Sequence, residues 1–348
     1  MPIIAHMLTW NDRKYLPDLF ESLDNQTYKD FTLRVLDNGS NDETVEYLQQ
    51  YHPHCLVSRN NKNNGFAGGF NQLFRFTFDR LQLEQEIDSF ILIMNSDMIL
   101  APTCFEELVK ALKANPKLGA VQPKLYRAFG ERARDEVLQE TIKSDVIDTT
   151  GLRLHKNWRL ADRGAGEIDA GQYDSLEDII GPSGTMALFR IKALRDVMVD
   201  STVFDSDFFA YREDCDLAWR LRKLGWKSRF VPTAIGYHYR GMYGAEQQSL
   251  LNRLKNRQGQ SPFTAALSTR NQLFVLIKNL TLWSAIVSFP RLLVSEGSRV
   301  FYGLFFEPET RKRLLGMGAH LPSMIRKRKV IKQNAREPEK AIRSYLGK

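Results

Sequence analysis

The chain has 348 residues, 43% hydrophobic and 26% charged, a globular composition that excludes collagen-like, disordered and disulfide-scaffold classes. Lys and Arg number 49 against 41 Asp and Glu, so the net charge is +8. Such a balance suggests an anionic partner without choosing among nucleic acid, phosphorylated substrate and membrane surface.

The opening MPIIAHMLTWND has no basic n-region, and its apolar run is too short for a signal peptide. Ile3 to Leu8 reads as a strand and Tyr15 to Leu23 as a helix. Phe31 to Leu36 is a second strand, stopped by the turn-forming run Asp37-Asn38-Gly39-Ser40. A helix over Glu43 to Tyr51, a weaker strand over Cys55 to Ser58 and a helix over Phe70 to Leu83 follow. Phe90 to Met94 is continuously apolar, as expected of a strand covered on both faces. A helix over Phe105 to Leu112 and a strand over Gly119 to Pro123 complete the pattern. This rhythm predicts an α/β fold, a mostly parallel sheet flanked by helices. Ligands in such sheets sit at the carboxyl ends of the strands, so the polar clusters after strands two and four belong on one rim.

Residues 127–180 are charged and weakly periodic, and read as an irregular insertion with room for a short hairpin. Thr185 to Phe189 is an apolar segment, Lys192 to Val199 a short helix, and Ser228 to Pro232 a strand. A helix follows Asp214, with Leu217, Ala218, Leu221 and Leu224 on one face and Gly225 as its stop. From about residue 245 helical, basic sequence takes over, so the expected division is a domain over 1–244 and a C-terminal helical region over 245–348. The most apolar stretch, Leu273 to Phe289, is broken by Lys278 and Asn279 and falls short of the roughly 20 residues a bilayer span needs. Cys55, Cys104 and Cys215 form no CxxC pair, which argues against a disulfide framework or a structural zinc and suits a reducing cytoplasm.

Four clusters can carry chemistry. Asn95-Ser96-Asp97 follows the apolar strand directly, where a carboxylate suits a hard divalent ion or equally caps a strand-ending turn. Asp37 occupies the same place after the second strand. The run Asn64 to Asn71, NGFAGGFN, opens a helix, where small residues admit a ligand to the backbone and the helix terminus favours negative charge. It is not a P-loop, since no Gly-Lys-Ser/Thr follows. Glu213-Asp214-Cys215-Asp216 sets three carboxylates at a helix start, more than capping requires, and a general base needs such a group. His238, in GYHYR, is either a structural histidine or a second metal ligand beside Asp97.

In this order the residues resemble the family 2 glycosyltransferases of GT-A (Rossmann-like) fold, from about Ile3 to Arg240. Thr9-Trp10-Asn11 is similar to the family's first-strand motif, and Asp37 to Thr44 to its D-x-x-S-x-D-x-T signature. Asn64 to Asn71 resembles the N-x-G-x-x-x-G-x-N loop of rhamnosyltransferase-like and galactofuranosyltransferase-like members. Asn95-Ser96-Asp97 stands where a D-x-D metal motif belongs, with Asn95 departing from the commoner Asp. Glu213-Asp214 with Asp216 and Arg220 looks like the acidic pair followed by D-x-x-x-R.

The resemblance implies a nucleotide-sugar half over about 1–126 and an acceptor half over about 127–244. It implies that Asp97 and His238 hold Mg²⁺ or Mn²⁺ against a nucleotide diphosphate, and that Thr9, Asn11, Asp37, Asn38, Asn64, Gly65, Asn71 and Ser96 line the donor site. Asp214 would be the general base, with Glu213 as alternative. Ser183, Gly184, Asp216 and Arg240 would lie on the acceptor side. The implied reaction is inverting sugar transfer, with dTDP-rhamnose as the expected donor and a UDP-hexose or UDP-galactofuranose as alternatives. The implied acceptor is a glycan, carried on a lipid, in surface polysaccharide synthesis. A non-catalytic nucleotide-sugar-binding homologue is the remaining reading within the resemblance.

Residues 311–348 contain 12 Lys or Arg and two acids, so the tail carries +10 and leaves −2 for the rest of the chain. A nucleic-acid-binding protein would spread its charge over the fold, so that partner is not expected. Residues 270–348 instead suggest an anionic membrane surface and a peripheral location at the inner face of the membrane; packing on the body or on a second copy is the alternative.

Overall fold

A computed structural model describes residues 2–81, 89–132, 138–239 and 261–347. Its central sheet has ten strands, with eight in the order β10-β12-β6-β11-β4-β1-β2-β3, while β5 pairs with β12 and β7 with β6. The strands are β1 (Ile3–Thr9), β2 (Phe31–Asp37), β3 (Leu56–Arg59), β4 (Phe90–Asn95), β5 (Met98–Leu100), β6 (Leu118–Arg132), β7 (Leu138–Thr149), β10 (Asp178–Ile179), β11 (Met186–Arg190) and β12 (Lys227–Tyr239). A separate hairpin joins β8 (Leu152–Leu154) to β9 (Leu160–Asp162).

Strands β1, β2, β3, β4, β6 and β12 run one way, and β5, β7, β10 and β11 oppose them. The register pairs Thr9 with Asp37 and Leu8 with Asn95, so three carboxyl ends finish level. His238 lies at the same end, one residue before the close of β12.

Alternation along β4 explains its continuous apolar run. Phe90, Leu92 and Met94 enter one core with α1 (Leu16–Asp24) and α4 (Cys104–Ala114). Ile91 and Ile93 enter a second core with α3 (Gly65–Phe78) and α5 (Ile191–Asp196). Each fully buried side chain of this kind contributes about 1.5–3 kcal/mol. Helix α2 (Thr44–Tyr51) lies between β2 and β3 in the chain.

The first half follows the predicted order closely, but α3 starts five residues earlier than its periodicity indicates. Gly65 accounts for this: its φ of +75° makes the turn, and helical geometry then runs through the small residues. The expected irregular insertion over 127–180 is corrected more strongly. β6 continues to Arg132, and β7 returns antiparallel beside it. The polar sequence hides these strands because its charges are paired: buried Lys124 meets Asp169 at 2.8 Å and Asp174 at 2.6 Å.

Helix α6 (Glu213–Lys223) carries the acidic cluster. The C-terminal helices are α7 (Pro262–Asn279), α8 (Leu282–Val287), α9 (Phe289–Leu292), α10 (Ser298–Phe306), α11 (Pro308–Leu315), α12 (Leu321–Asn334) and α13 (Glu339–Arg343). A third core joins this region to the body through Trp158, Trp219, Phe208, Phe274, Met324 and Ile342. Trp158 and Trp219 stack with ring centroids 5.8 Å apart. Part of the tail's positive charge is spent inside the molecule. Lys327 reaches Asp205 at 2.5 Å and Asp207 at 2.6 Å, and Arg326 reaches Asp200 at 2.5 Å. Among the described residues, no helix is long and apolar enough to cross a membrane.

Candidate active site

The rim at the carboxyl ends of β1 and β2 is laced by short polar bonds. The backbone N–H of Asn11 donates to Ser40 Oγ at 2.9 Å, and its side-chain Oδ1 accepts from the N–H of Asn41 at 2.9 Å. These bonds hold Asn11 at φ +59°. Asp37 is fully buried and accepts from the N–H and the hydroxyl of Ser40, with Arg59 Nε at 3.4 Å. Asn38 is also buried, and its amide is fully used. It donates to Asn63 Oδ1 and Gly65 O, and accepts from Asn60 Nδ2 and the N–H of Asn64.

Two further carboxylates, which the sequence reading did not single out, belong to this rim. Asp12 Oδ2 accepts from Ser96 Oγ at 2.5 Å and from the N–H of Trp10 at 3.1 Å, with Thr9 Oγ1 at 3.4 Å. Burial, opposed by the Ser96 hydrogen bond and reinforced by the charge of Asp97, pushes the Asp12 pKa up to about 6. Asp148, at the end of β7, lies 2.9 Å from His238 Nδ1. No local motif marks Asp148, because only the hairpin of β6 and β7 brings it under β12.

Asp97 and His238 meet because β5 pairs antiparallel with β12, setting Met98 opposite His238. Asp97 Oδ1 stands 3.1 Å from His238 Nε2. Both atoms are buried, and neither has a hydrogen bond of acceptable geometry, although they face each other within ion-pair reach. Burial alone would lower the His238 pKa, but the Asp97 charge and the hydrogen bond to Asp148 outweigh it and raise the pKa to about 10. The Asp148 carboxylate behind the ring fixes its orientation and turns Nε2 onto Asp97.

Asp97 Oδ1 and His238 Nε2 are ligand-type atoms that suit a hard divalent ion once the proton His238 holds against Asp97 is displaced. Among the described residues, no group of three or more His, Cys, Asp and Glu is arranged to hold a metal. An ion here would therefore need further oxygens, and Mg²⁺ commonly takes one or two carboxylates and completes its shell with water and substrate phosphate.

Hydrogen bonds link this end of β4 to the acidic cluster. The N–H of Asn95 donates to Thr185 O at 3.0 Å, and the N–H of Gly184 donates to Asp214 Oδ2 at 3.1 Å. Asp214 Oδ1 accepts from the N–H of Cys215 at 2.7 Å. Asp214 is only partly buried, whereas Glu213 is enclosed and its Oε2 has no hydrogen-bond partner. Burial and the adjacent Asp214 charge push the Glu213 pKa up to about 8. Glu213 is thus enclosed and protonated at neutral pH, whereas Asp214 is the more accessible of the two carboxyls.

The loop before α6 is strained. Phe209, Tyr211 and Arg212 all have positive φ. Left-handed non-glycine residues of this kind gather at functional sites when their surroundings hold them in place. Two elements do so here. From α3, the N–H of Ala67 donates to Phe209 O at 3.0 Å, and the Asn71 amide clamps Phe204. A Cβ on Gly65 would lie 2.4 Å from Phe209 O, so only glycine permits this approach. From α7, buried Asn271 Nδ2 donates to Phe208 O, Ala210 O and Tyr211 O at 2.8–2.9 Å. Arg270 donates to Asp207 O at 2.8 Å. Neither Arg270 nor Asn271 carries a recognisable motif.

Some expected site residues take other positions. Asp216, expected on the acceptor side, is fully enclosed: Arg220 and Lys278 each reach its Oδ2 at 2.9 Å, and Asn279 donates to its Oδ1 at 2.8 Å. Those opposite charges hold its carboxyl far below the usual range despite burial. The cause is the docking of α7, which brings Lys278 and Asn279 onto α6. Asn71 spends its amide on residues 204–206 rather than presenting it to the rim. Ser183 is buried with its N–H on Gln122 Oε1 at 2.8 Å, while Gly184 touches Asp214. Arg240 lies outside the described residues.

The site thus combines a mixed sheet with level strand ends, a facing Asp–His pair and a carboxylate on an adjoining helix. The chain matches glycosyl transferase family 2 over residues 5–198, more than half its length, and belongs to that family; it is a glycosyltransferase of GT-A fold. A relative is the N-acetylglucosaminyl-diphospho-decaprenol L-rhamnosyltransferase of Mycobacterium tuberculosis, 26% identical over 248 residues, 69% of this chain and 76% of the relative. Poly-beta-1,6-N-acetyl-D-glucosamine synthase of Staphylococcus epidermidis is 21% identical over 231 residues, 65% of this chain and 47% of that protein. Among solved structures, S. aureus TarS aligns at TM-score 0.52 and 15% identity, covering 99% of this chain and half of that one. TarS 1-349 in complex with UDP aligns at TM-score 0.51 and 16% identity, over 99% and 92% of the two chains. These structural likenesses establish the shared fold.

Proposed function

We propose that the chain is an inverting, metal-dependent rhamnosyltransferase that moves rhamnose from dTDP-rhamnose to a lipid-linked glycan in surface polysaccharide synthesis. The observation that carries the metal-dependent reading is the pair Asp97 Oδ1 and His238 Nε2, buried and 3.1 Å apart at the rim. The mycobacterial relative, an N-acetylglucosaminyl-diphospho-decaprenol L-rhamnosyltransferase, supports the sugar and the lipid-linked acceptor.

In this reading Asp97 and His238 hold Mg²⁺ or Mn²⁺, which supplies Lewis-acid stabilisation of a leaving diphosphate. Asp148 keeps His238 turned toward the rim, and Asp12 and Ser96 fix the turn that carries Asp97. Thr9, Asn11, Asp37, Asn38 and Asn64 shape the nucleoside end, while Gly65 and Asn71 dock the 204–212 segment that leads to Asp214. Asp214 accepts the proton of the acceptor hydroxyl as that oxygen attacks the anomeric carbon. The C–O bond to diphosphate breaks as the new glycosidic bond forms on the opposite face. A UDP-sugar donor is the second reading, since UDP is the ligand of the structurally similar TarS 1-349 complex.

The test is nucleotide release from a panel of dTDP- and UDP-sugars with Mn²⁺ or with EDTA. Release from dTDP-rhamnose, lost on chelation and lost in Asp214→Asn with donor binding retained, is the expected result. Metal-independent release, or full activity in Asp214→Asn, overturns the assignment.

A further inference from the structure

Helices α8 to α10 are inside out. Between Leu282 and Phe306 the buried residues are Ser284, Ser288, Glu296 and Gly303. The two serines are held by side chains outside these helices, while Glu296 and Gly303 face neighbouring residues of the same helical stretch. Ser284 Oγ donates to Glu339 at 2.7 Å, Ser288 Oγ accepts from the Trp158 indole at 2.7 Å, and Glu296 pairs with Arg299 at 3.3 Å. A Cβ on Gly303 would lie 2.5 Å from Thr310 Cγ2.

The opposite face is apolar and open. Leu282, Trp283 and Ile286 are 72%, 64% and 59% exposed, and Val294, Phe301 and Phe305 are 73%, 57% and 63% exposed. A helix on the surface of a water-soluble body shows the reverse arrangement. A contiguous apolar face of this kind marks a site of association.

The charges beside the face select its occupant. The exposed ionised side chains there, Arg291, Arg311 and Lys312, are all basic. The neighbouring acids are engaged elsewhere, Glu307 with Thr310 at 2.6 Å and Glu309 with Arg313 at 3.3 Å. A second copy applied two-fold would set this basic rim against itself. Anionic lipid headgroups complement it, while Trp and Phe side chains suit the headgroup boundary.

We propose that the outward face of α8 to α10 docks on an anionic bilayer surface, with Trp283, Val294 and Phe305 entering the acyl boundary. The face continues toward the strained loop before α6. Arg313 stacks on Phe263 at 4.7 Å, and Phe263 packs edge-on against Phe209 with ring centroids 5.9 Å apart. Tyr211 Oη meets Thr264 Oγ1 at 3.1 Å. Docking would therefore hold the strained loop before Asp214 close to the membrane, where a lipid-linked acceptor presents its sugar; that consequence rests on the function proposed above.

The experiment uses the full chain with vesicles of phosphatidylglycerol and phosphatidylcholine, or of phosphatidylcholine alone. The wild type should sediment with the anionic vesicles. Brominated acyl chains should quench its tryptophan emission, and Trp283→Phe should remove that quenching. The triple variant Trp283→Ser/Val294→Ser/Phe305→Ser should bind at least tenfold more weakly, and Arg311→Gln/Lys312→Gln should lose the preference for anionic lipid. A wild type that stays in the supernatant, or a triple variant that binds normally, overturns the proposal. So does a dimer in light scattering that the triple variant dissolves, which would assign the face to a second copy. Donor-nucleotide release measured without vesicles keeps the two readings apart. Its absence counts against the enzymatic proposal alone, and its persistence in the triple variant shows that the lost vesicle binding is not misfolding.

Discussion

Replacing Asn271 by Leu should slow turnover without weakening donor binding. The Asn271 amide has two N–H bonds shared among three carbonyls of residues 208–211, and the same stretch contains Phe209 and Tyr211 at φ +65° and +69°. Left-handed residues of this type each cost of order 1–3 kcal/mol, so the loop keeps its shape only while it is held. Losing the two donors removes about 1 kcal/mol each, roughly 2 kcal/mol in all. At 1.36 kcal/mol per decade, that lowers the ratio of ordered to disordered loop by about thirtyfold, which reaches turnover in proportion where the strained loop is only marginally ordered. Steady-state nucleotide release should therefore show kcat reduced by between ten and a hundredfold, with donor KM within about twofold of wild type. The donor rim is laced through Asn11, Asp37 and Asn38, none of which bonds Asn271. A kcat within threefold of wild type refutes the reasoning, as does a raised donor KM with kcat intact. Thermal unfolding measured on the same sample separates loss of loop order from loss of the fold.

Other consequences follow from the same contacts. Asp148→Asn removes the charge behind His238, and the Mn²⁺ concentration for half-maximal activity should rise about 10–100-fold, as for other carboxylates that orient a metal-binding histidine; an unchanged metal titration rules out that positioning role. Glu213 has a folded pKa near 8, above its ordinary 4.5. The stability gained from its protonated state is full below pH 4.5 and is lost as pH rises through 8. Melting temperature should thus fall from about pH 5 to 8 and level off above, and Glu213→Gln should flatten that slope, whereas an identical slope in the variant dismisses burial of Glu213 as its origin. Lys278→Met removes one of two cations from each of Asp205 and Asp216 but leaves Lys327 on the first and Arg220 on the second, so the cost is that of lost charged hydrogen bonds, about 1.5–3 kcal/mol, rather than of a stranded charge. Urea unfolding should show a loss of that order, and a loss below 1 kcal/mol would mean the network is solvated in solution.

The legible part of the fold is the part whose burial is apolar. β4 could be read because its alternate residues enter two cores and leave no polar position. The β6–β7 hairpin could not, because its neighbourhood hides charge by pairing, as Lys124 does with Asp169 and Asp174. The same limit applies to the site. Asp97, His238 and Asp214 each sit next to a strand end or helix start that hydropathy marks. Asp12, Asp148 and Asn271 act through partners distant in the chain, Ser96, His238 and the 208–211 carbonyls, and nothing beside them in sequence announces those partners.

The amino-acid order by itself determined the strand sequence, the rim motifs and a basic tail behind a near-neutral body, because periodicity and turn chemistry are local. Only the tertiary structure decided that Asp97 faces His238, that Asp216 is an ion-network residue, and that α7 holds the strained loop before α6. It also decided which face of α8 to α10 meets solvent. Serines and a glutamate turned inward to Glu339, Trp158 and Arg299 leave the leucines and phenylalanines outside. Which side of a short amphipathic helix is buried depends on what the body offers it.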